Sequence, residues 1–216
     1  MKSLFVKHIN LNLPVAAQDV SKIFEDNNIE WNAVDNVCWA KDYPYAPEMK
    51  FRIAHCGNFI LLNYHVREKA VRAVAETDNG NVWEDSCCEF FFSPSADSMY
   101  YNIESNCAGK ILFASGNSRH DRKHYPLELI ANIDRWSSLG DGVFTERECN
   151  DSWEMSLVIP NTMFDGVDSF TGLKATANFY KCGDKLSTPH FLSWNLVETA
   201  TPDYHRPDYF GKIVFE

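Results

Sequence analysis

In the stretch Asn79–Pro94, N-G-N-V-W-E-D-S-C-C-E-F-F-F-S-P, a turn, a large aromatic and an apolar strand follow one another. Asp78-Asn79-Gly80-Asn81 is a turn signal, since Asn, Asp and Gly favour the tight backbone of a chain reversal. Trp83 then stands in a polar segment at the mouth of a strand read over Ser86–Ser93, where Phe90, Phe91 and Phe92 favour a pleated, half-buried surface. Alternation along that strand puts Cys88, Phe90 and Phe92 on one face and Cys87, Glu89 and Phe91 on the other. Glu89 is a lone carboxylate among apolar neighbours. It must be hydrogen-bonded, paired or solvent-facing, because an isolated buried charge is costly. The plain reading makes Trp83 a cap on the core and turns Glu89 to water.

Working outward, the chain reads as a series of short strands. A first strand is expected over Phe5–Leu13. A helix is expected over Val15–Asn27, with Val20, Ile23 and Phe24 at helical spacing. Lys50–His55 and Asn58–Val66 flank Cys56-Gly57 as a hairpin. Glu68–Glu76 reads as one or two helical turns. Further strands are expected over Met99–Asn106, Lys110–Ala114, Pro126–Ile133, Gly142–Arg147, Trp153–Ile159, Lys174–Tyr180, Phe191–Trp194 and Lys212–Phe215. About ten to twelve strands at regular spacing indicate an all-β fold, an antiparallel β-sandwich of jelly-roll type with one or two short helices. No repeat or linker divides it, so residues 1–216 are expected to form a single domain.

Composition sets limits on partners. The 216 residues are 45% hydrophobic and 14% aromatic, with six Trp and nine Tyr, which supports a substantial core with aromatic surface left for a binding face. The formal net charge of -10 argues against nucleic acid, which needs clustered Lys and Arg, and against an anionic membrane. The basic run Arg119-His120-Asp121-Arg122-Lys123-His124 is short, broken by an acid, and reads as a solvated loop. Seven cysteines without a C-x-x-C read as buried free thiols of a reducing compartment. The N-terminus lacks the apolar core of a signal peptide. As written the chain reads as cytoplasmic; a chain trimmed of a leader for export would look the same.

Five motifs in order resemble the family 9 carbohydrate-binding modules and their stand-alone relatives. They are W-E-D-S-C-C-E-F-F-F from Trp83, Y-Y-N-I-E-S-N-C-A-G from Tyr100, W-E-M-S-L-V-I-P from Trp153, A-N-F-Y-K from Ala177, and S-W-N…Y-H-R-P-D-Y-F-G from Ser193 to Gly211. The resemblance spans roughly Val34–Phe215. It implies a sandwich that grips a sugar end between two aromatic side chains, matched here by Trp83 and Tyr204, with Glu89 accepting sugar hydroxyls. Thr201 or Asp203 falls where a further polar contact is expected, and His205 and Arg206 lie beside Tyr204. The second aromatic is Tyr rather than Trp, and Asp85 and Ser86 each fall one place early. Glu104 stands where such modules carry an arginine, so the forked donor expected there is missing. The resemblance also leaves room for a structural calcium, for which Asp78-Asn79 and Asp165–Asp168 offer oxygen ligands.

The function this implies is non-catalytic binding of a mono-, oligo- or polysaccharide in support of polysaccharide breakdown by glycoside hydrolases, with no required cofactor and micromolar or weaker affinity. Other readings compete. Glu84, Asp85, Glu89 and Glu104 offer carboxylate pairs for glycoside hydrolysis. His120-x-x-x-His124 with Asp121, together with His205, offers metal ligands, though Gly116, Asn117 and Pro126 argue against a helix there. Wider relatives of this sandwich hold haem, for which Met99, Met155 and His65 are the candidate ligands.

Overall fold

The computed structural model describes residues 1–11, 13–95 and 99–216. Its strands are β1 (Ser3–His8), β2 (Asn32–Ala33), β3 (Asn36–Val37), β4 (Glu48–His55), β5 (Phe59–Arg67), β6 (Ala70–Ala73), β7 (Cys87–Ser93) and β8 (Tyr100–Asn106). They continue with β9 (Ile111–Gly116), β10 (Lys123–His124), β11 (Asp134–Ser137), β12 (Phe144–Glu148), β13 (Ser152–Pro160), β14 (Lys174–Cys182), β15 (Phe191–Ser193) and β16 (Gly211–Phe215). The α-helices are α1 (Val20–Asp26) and α2 (Leu127–Ile130).

The strands form two leaves that share β1. One leaf runs β10-β9-β8-β7-β14-β16-β1 and the other β1-β4-β5-β13-β11. β1 joins them because Ser3–Val6 pair with β16 while Lys7 and His8 pair with β4. Both of its pairings are parallel, a departure from a purely antiparallel sandwich. The remaining ladders of the two leaves are antiparallel, as a chain rich in hairpins dictates.

Alternation distributes the apolar side chains. Cys88, Phe90, Phe92, Ile103 and Phe179 of the first leaf meet Phe51, Leu62, Tyr64, Trp153 and Met155 of the second in the main core. Phe179 lies between Phe51, stacked at 3.6 Å, and Phe90, stacked at 5.0 Å. The opposite face of the first leaf carries a second cluster built on Cys87, Phe91, Tyr100 and Tyr180. Helix α1 covers the outer face of the second leaf, setting Val20 and Phe24 against Ala54, Leu61 and Val158.

Two expected elements are different in the structure. Glu68–Glu76 is no helix: Ala70–Ala73 form β6, paired with β12. Val71 and Ala73 are buried while Ala70 and Arg72 are half-buried, a period of two, and a hydrogen-bonding partner strand overrides weak helical propensity. Conversely, Pro126–Ile133 contains α2 rather than a strand. Ile130 and Ile133, three apart, are its buried positions, and Pro126 immediately precedes the helix, where a missing N–H is harmless. The first strand ends at His8 rather than Leu13, and Asn12 lies outside the described residues. No helix among the described residues is long and apolar enough to cross a membrane.

Candidate functional site

The outer face of β7, β8 and β14 is the floor of a cavity of about 520 Å³, counting its open mouth. Glu89, Glu104 and Cys182 line the floor, one from each strand. Glu89 lies opposite Glu104 on β8 and opposite Tyr180 on β14, and Cys87 lies opposite Cys182. Segments distant in sequence supply the walls. They bring Trp39, Trp83, Arg119, Arg122, Asp184, Phe191 and the run Pro202–His205.

Trp83 is half-buried on a 3-10 turn, Val82–Glu84. Asp85 anchors that turn from within the protein. Its fully buried carboxylate accepts the Val74 and Ala75 N–H groups at 3.0 Å, Asn106 Nδ2 at 2.9 Å and Arg72 Nε at 3.2 Å. On the far side, Asp184 N–H donates to the Trp83 carbonyl at 3.3 Å and Lys185 N–H to that of Glu84 at 3.1 Å. Ser86 accepts the Arg72 N–H at 3.2 Å, so the Asp-Ser pair of the motif is structural, and the indole lines the cavity.

Tyr204, also in the cavity lining, has a different environment. It is buried, its ring stacked on Tyr180 at 4.0 Å and 12°. Its hydroxyl donates to the Leu192 carbonyl at 3.1 Å, so one ring face and the polar tip are committed to the protein. Beside it stands Trp39, which the sequence did not single out, with ring centroids 5.6 Å apart. Trp39 has φ of 52°, a left-handed backbone that a bulky side chain rarely adopts. It is held by its Nε1–H, which donates to the Thr199 carbonyl at 2.8 Å, and by an edge-on contact with Phe191. Backbone held in such a conformation is a mark of functional sites.

The charges are unevenly matched. Glu89 and Glu104 are each 3% exposed and directly opposite, an arrangement that like charges disfavour. Glu104 has partners: it accepts from Arg122 Nη1 at 3.2 Å and from Asn102 Nδ2 at 2.8 Å. Burial pushes its carboxyl above the usual range, and Arg122 and Asn102 work against that rise. Among the described residues no guanidinium is hydrogen-bonded to Glu89. Glu89 accepts from the Cys182 thiol at 3.0 Å. Burial, and then the charge of Glu104, push it well above the usual carboxylate range. Asp184 at the rim is raised to about 6, again by burial first and Glu104 second.

Arg122 itself is fixed by His205. Its Nη1 lies 3.0 Å from His205 Nε2, and His205 Nδ1 lies 2.9 Å from the Tyr100 hydroxyl. A guanidinium only donates, so Nε2 accepts and Nδ1 carries the proton, which it gives to Tyr100. Burial and then Arg122 lower His205 to about 2, consistent with a neutral ring. The basic run read as a solvated loop thus delivers an arginine into the site. Gly116 permits this, because a Cβ there would come within 2.6 Å of the Arg122 Cα. Asp121 ties the turn by accepting the N–H groups of Asn117 and Ser118 at 3.1 and 2.7 Å.

Trp83, Glu89, Glu104, Tyr204 and His205 therefore share one cavity, joined by Asp203. Glu89 does not face open water, as the plain reading had it. Arg206 is turned away: it pairs with Asp208 at 2.6 Å and lies over the Tyr209 ring. Thr201 is exposed. His120 and His124 are both exposed, and His124 lies on β10. Asp78 is occupied by Arg135 at 2.7 Å, and Asn79 by the backbone of Phe113 and Tyr125. Met155 lies opposite Tyr64 in register, so His65 points to the other face of that leaf. Trp39 and Arg122 were missed because neither lies in a motif with Glu89; the signal available was the density of Trp and Tyr and the one basic run.

The comparisons agree with this architecture. The model of carbohydrate-binding family 9 matches residues 18–215. A solved structure from Bacteroides uniformis ATCC 8492, named for a proposed carbohydrate-binding role, is 48% identical with a TM-score of 0.96, and the match covers 100% of this chain and 99% of that one. A family 9 module from Caldicellulosiruptor kristjanssonii in complex with glucose is 16% identical with a TM-score of 0.58, covering 100% of this chain and 96% of that one. Its complex with cellotriose gives a TM-score of 0.57 at 16% identity, covering 100% and 94%. These last two share the fold. No curated protein matches the chain. With its family model covering nearly its whole length, the chain belongs to carbohydrate-binding family 9.

Proposed function

We propose that the protein binds carbohydrate without cleaving it, taking a sugar end into the cavity over β7, β8 and β14. One observation carries this reading: a single recess combines flat aromatic surface from Trp83, Trp39 and Tyr204 with Glu89, Glu104, Asp184, Arg119 and Arg122. A pyranose needs both, because its C–H faces lie on aromatic rings while its hydroxyls point sideways to donors and acceptors. Trp83 supplies one platform, and the Trp39–Tyr204 pair supplies the other. Glu89, which holds its proton tightly, serves a hydroxyl as donor or acceptor. Arg122 is the fork that Glu104 cannot be. The neighbours of this fold bind glucose and cellotriose, and those sugars are the first ligands to try. The wider role is support of polysaccharide breakdown.

Titration calorimetry of the protein with glucose and cellotriose, beside Trp83→Ala, tests the reading. Saturable binding that Trp83→Ala removes at unchanged melting temperature supports it. No binding across a glycan array, or binding indifferent to Trp83, overturns it. Turnover of aryl glycosides that Glu89→Gln abolishes would replace it with hydrolysis.

A further inference from the structure

Beneath the sugar cavity, strand alternation and register place three ligand-bearing side chains on one face. Cys87 and Glu89 are two apart on β7 and point the same way. Cys182 lies opposite Cys87 on β14. One sulfur or oxygen atom from each lies within 4.8 Å of the others, and all three residues are buried. Among the described residues this is the one such group of three.

Glu89 gives this cluster its interest. It is a carboxylate 3% exposed, with Glu104 directly opposite and Arg122 bonded to that neighbour instead. A thiol proton from Cys182 at 3.0 Å is the hydrogen bond it receives. A buried carboxylate beside two thiols, with the nearby Arg122 bonded to Glu104, has the composition of a soft-metal site. We propose that Cys87, Cys182 and Glu89 bind a thiophilic divalent cation, zinc, under the floor of the cavity.

The geometry suits that ion. Zinc bonds of about 2.3 Å to sulfur and about 2.0 Å to oxygen put tetrahedral ligands roughly 3.3–3.8 Å apart. Ligand atoms within 4.8 Å of one another reach that spacing by small side-chain rotations. Two sulfurs disfavour calcium and magnesium, which take oxygen. Three protein ligands leave a fourth position. Cys182 and Glu89 line the cavity, so that position opens toward it, where a water or a sugar hydroxyl would complete the shell. On binding, Cys87 and Cys182 release their thiol protons and Glu89 its carboxyl proton, and the dication offsets the charge left behind. The site shares Glu89 with the proposed sugar contact, but its ligands need no saccharide, so metal uptake is measured without one.

The test uses the reduced full-length protein, stripped with chelator and titrated with cobalt(II), then zinc(II). The expected result is one equivalent of cobalt giving a thiolate-to-cobalt band in the near ultraviolet, which zinc displaces. Cys87→Ser and Cys182→Ser each lower the affinity at least tenfold, and Glu89→Gln does so by a similar factor. Cys149→Ser, at a half-buried thiol on another face, leaves it unchanged. X-ray absorption on the unsubstituted zinc protein then shows two sulfur ligands, which decides the matter should the serine variants fail to fold. A purely nitrogen and oxygen shell, a band that survives loss of both Cys87 and Cys182, or no stoichiometric uptake overturns the proposal. Sugar binding measured on the same stripped protein reports separately on the proposed function.

Discussion

Lys181 and Cys182 are adjacent on β14 and enter two different buried polar clusters, and the contrast between those clusters separates fold from function. On the core side, Lys181 Nζ pairs with Glu68 at 2.9 Å and donates to the Cys182 carbonyl at 2.9 Å and to His190 Nε2 at 2.8 Å. Trp153 Nε1 donates to Glu68 at 2.9 Å, and His190 Nδ1 donates to the Thr188 carbonyl. His190 is lowered to about 2 by burial and then by Lys181, so its ring stays neutral and accepts. Every member has its partner, and the cluster is closed. On the outer side, Glu89 and Glu104 confront each other with one arginine, bonded to Glu104, and the cluster opens to a cavity. A closed polar network specifies a packing arrangement; an open one retains hydrogen-bonding capacity that a ligand can use.

That contrast predicts opposite phenotypes on the two sides of one strand. The largest effect belongs to the closed cluster. Lys181→Ala leaves Glu68 buried and uncompensated, which costs about 3–5 kcal/mol and lowers the melting temperature by roughly 10 °C. Thermal unfolding followed by circular dichroism measures it, and a shift within a degree or two would break the comparison. Next comes Trp83→Ala, which removes sugar affinity by at least about tenfold while the melting temperature stays nearly unchanged, because the indole is half-buried at the cavity mouth. A large thermal loss here would make Trp83 a core residue.

Arg122 sharpens the same line. Arg122→Ala lowers affinity about tenfold, and Arg122→Lys does not restore it, since an ammonium lacks the planar fork. His205→Ala, which frees the guanidinium rather than removing it, gives a smaller loss of about threefold in calorimetry. The smallest effect is a pH dependence. Asp184 has a folded value of about 6 against an ordinary 3.8, so the folded state holds a proton that the unfolded state has lost between those values. Its contribution to stability is full below pH 3.8 and is lost as pH rises through about 6. Asp184→Asn therefore raises the melting temperature at pH 7, and the gain shrinks as pH falls from 6 to 4. A gain that grows on acidification would contradict the assignment.

The strand Cys87–Ser93 shows how far pattern reading reaches. Three consecutive phenylalanines and a lone glutamate announce a pleated segment with two unlike faces, and the structure sends Phe90 and Phe92 to the main core and Phe91 to the outer cluster. The turn-borne Trp83 and the run around Tyr204 were legible for the same reason, each being local in sequence. Failures came where local preference was weak. Glu68–Glu76 has helical composition, yet β12 supplies a partner strand. Pro126–Ile133 has strand-like content, yet its buried positions are three apart. Arg122 looked solvated because its partners, Glu104 and His205, lie 18 and 83 residues away.

By itself the sequence determined the alternation, the all-β class and the aromatic-acid signature, since period, propensity and turn chemistry act between near neighbours. Tertiary structure alone decided which carboxylate received an arginine, that Tyr204 lies stacked on Tyr180, and that the distant Cys182 joins Cys87 and Glu89. Those outcomes depend on register between strands far apart in the chain, and a register is set only when whole sheets pack.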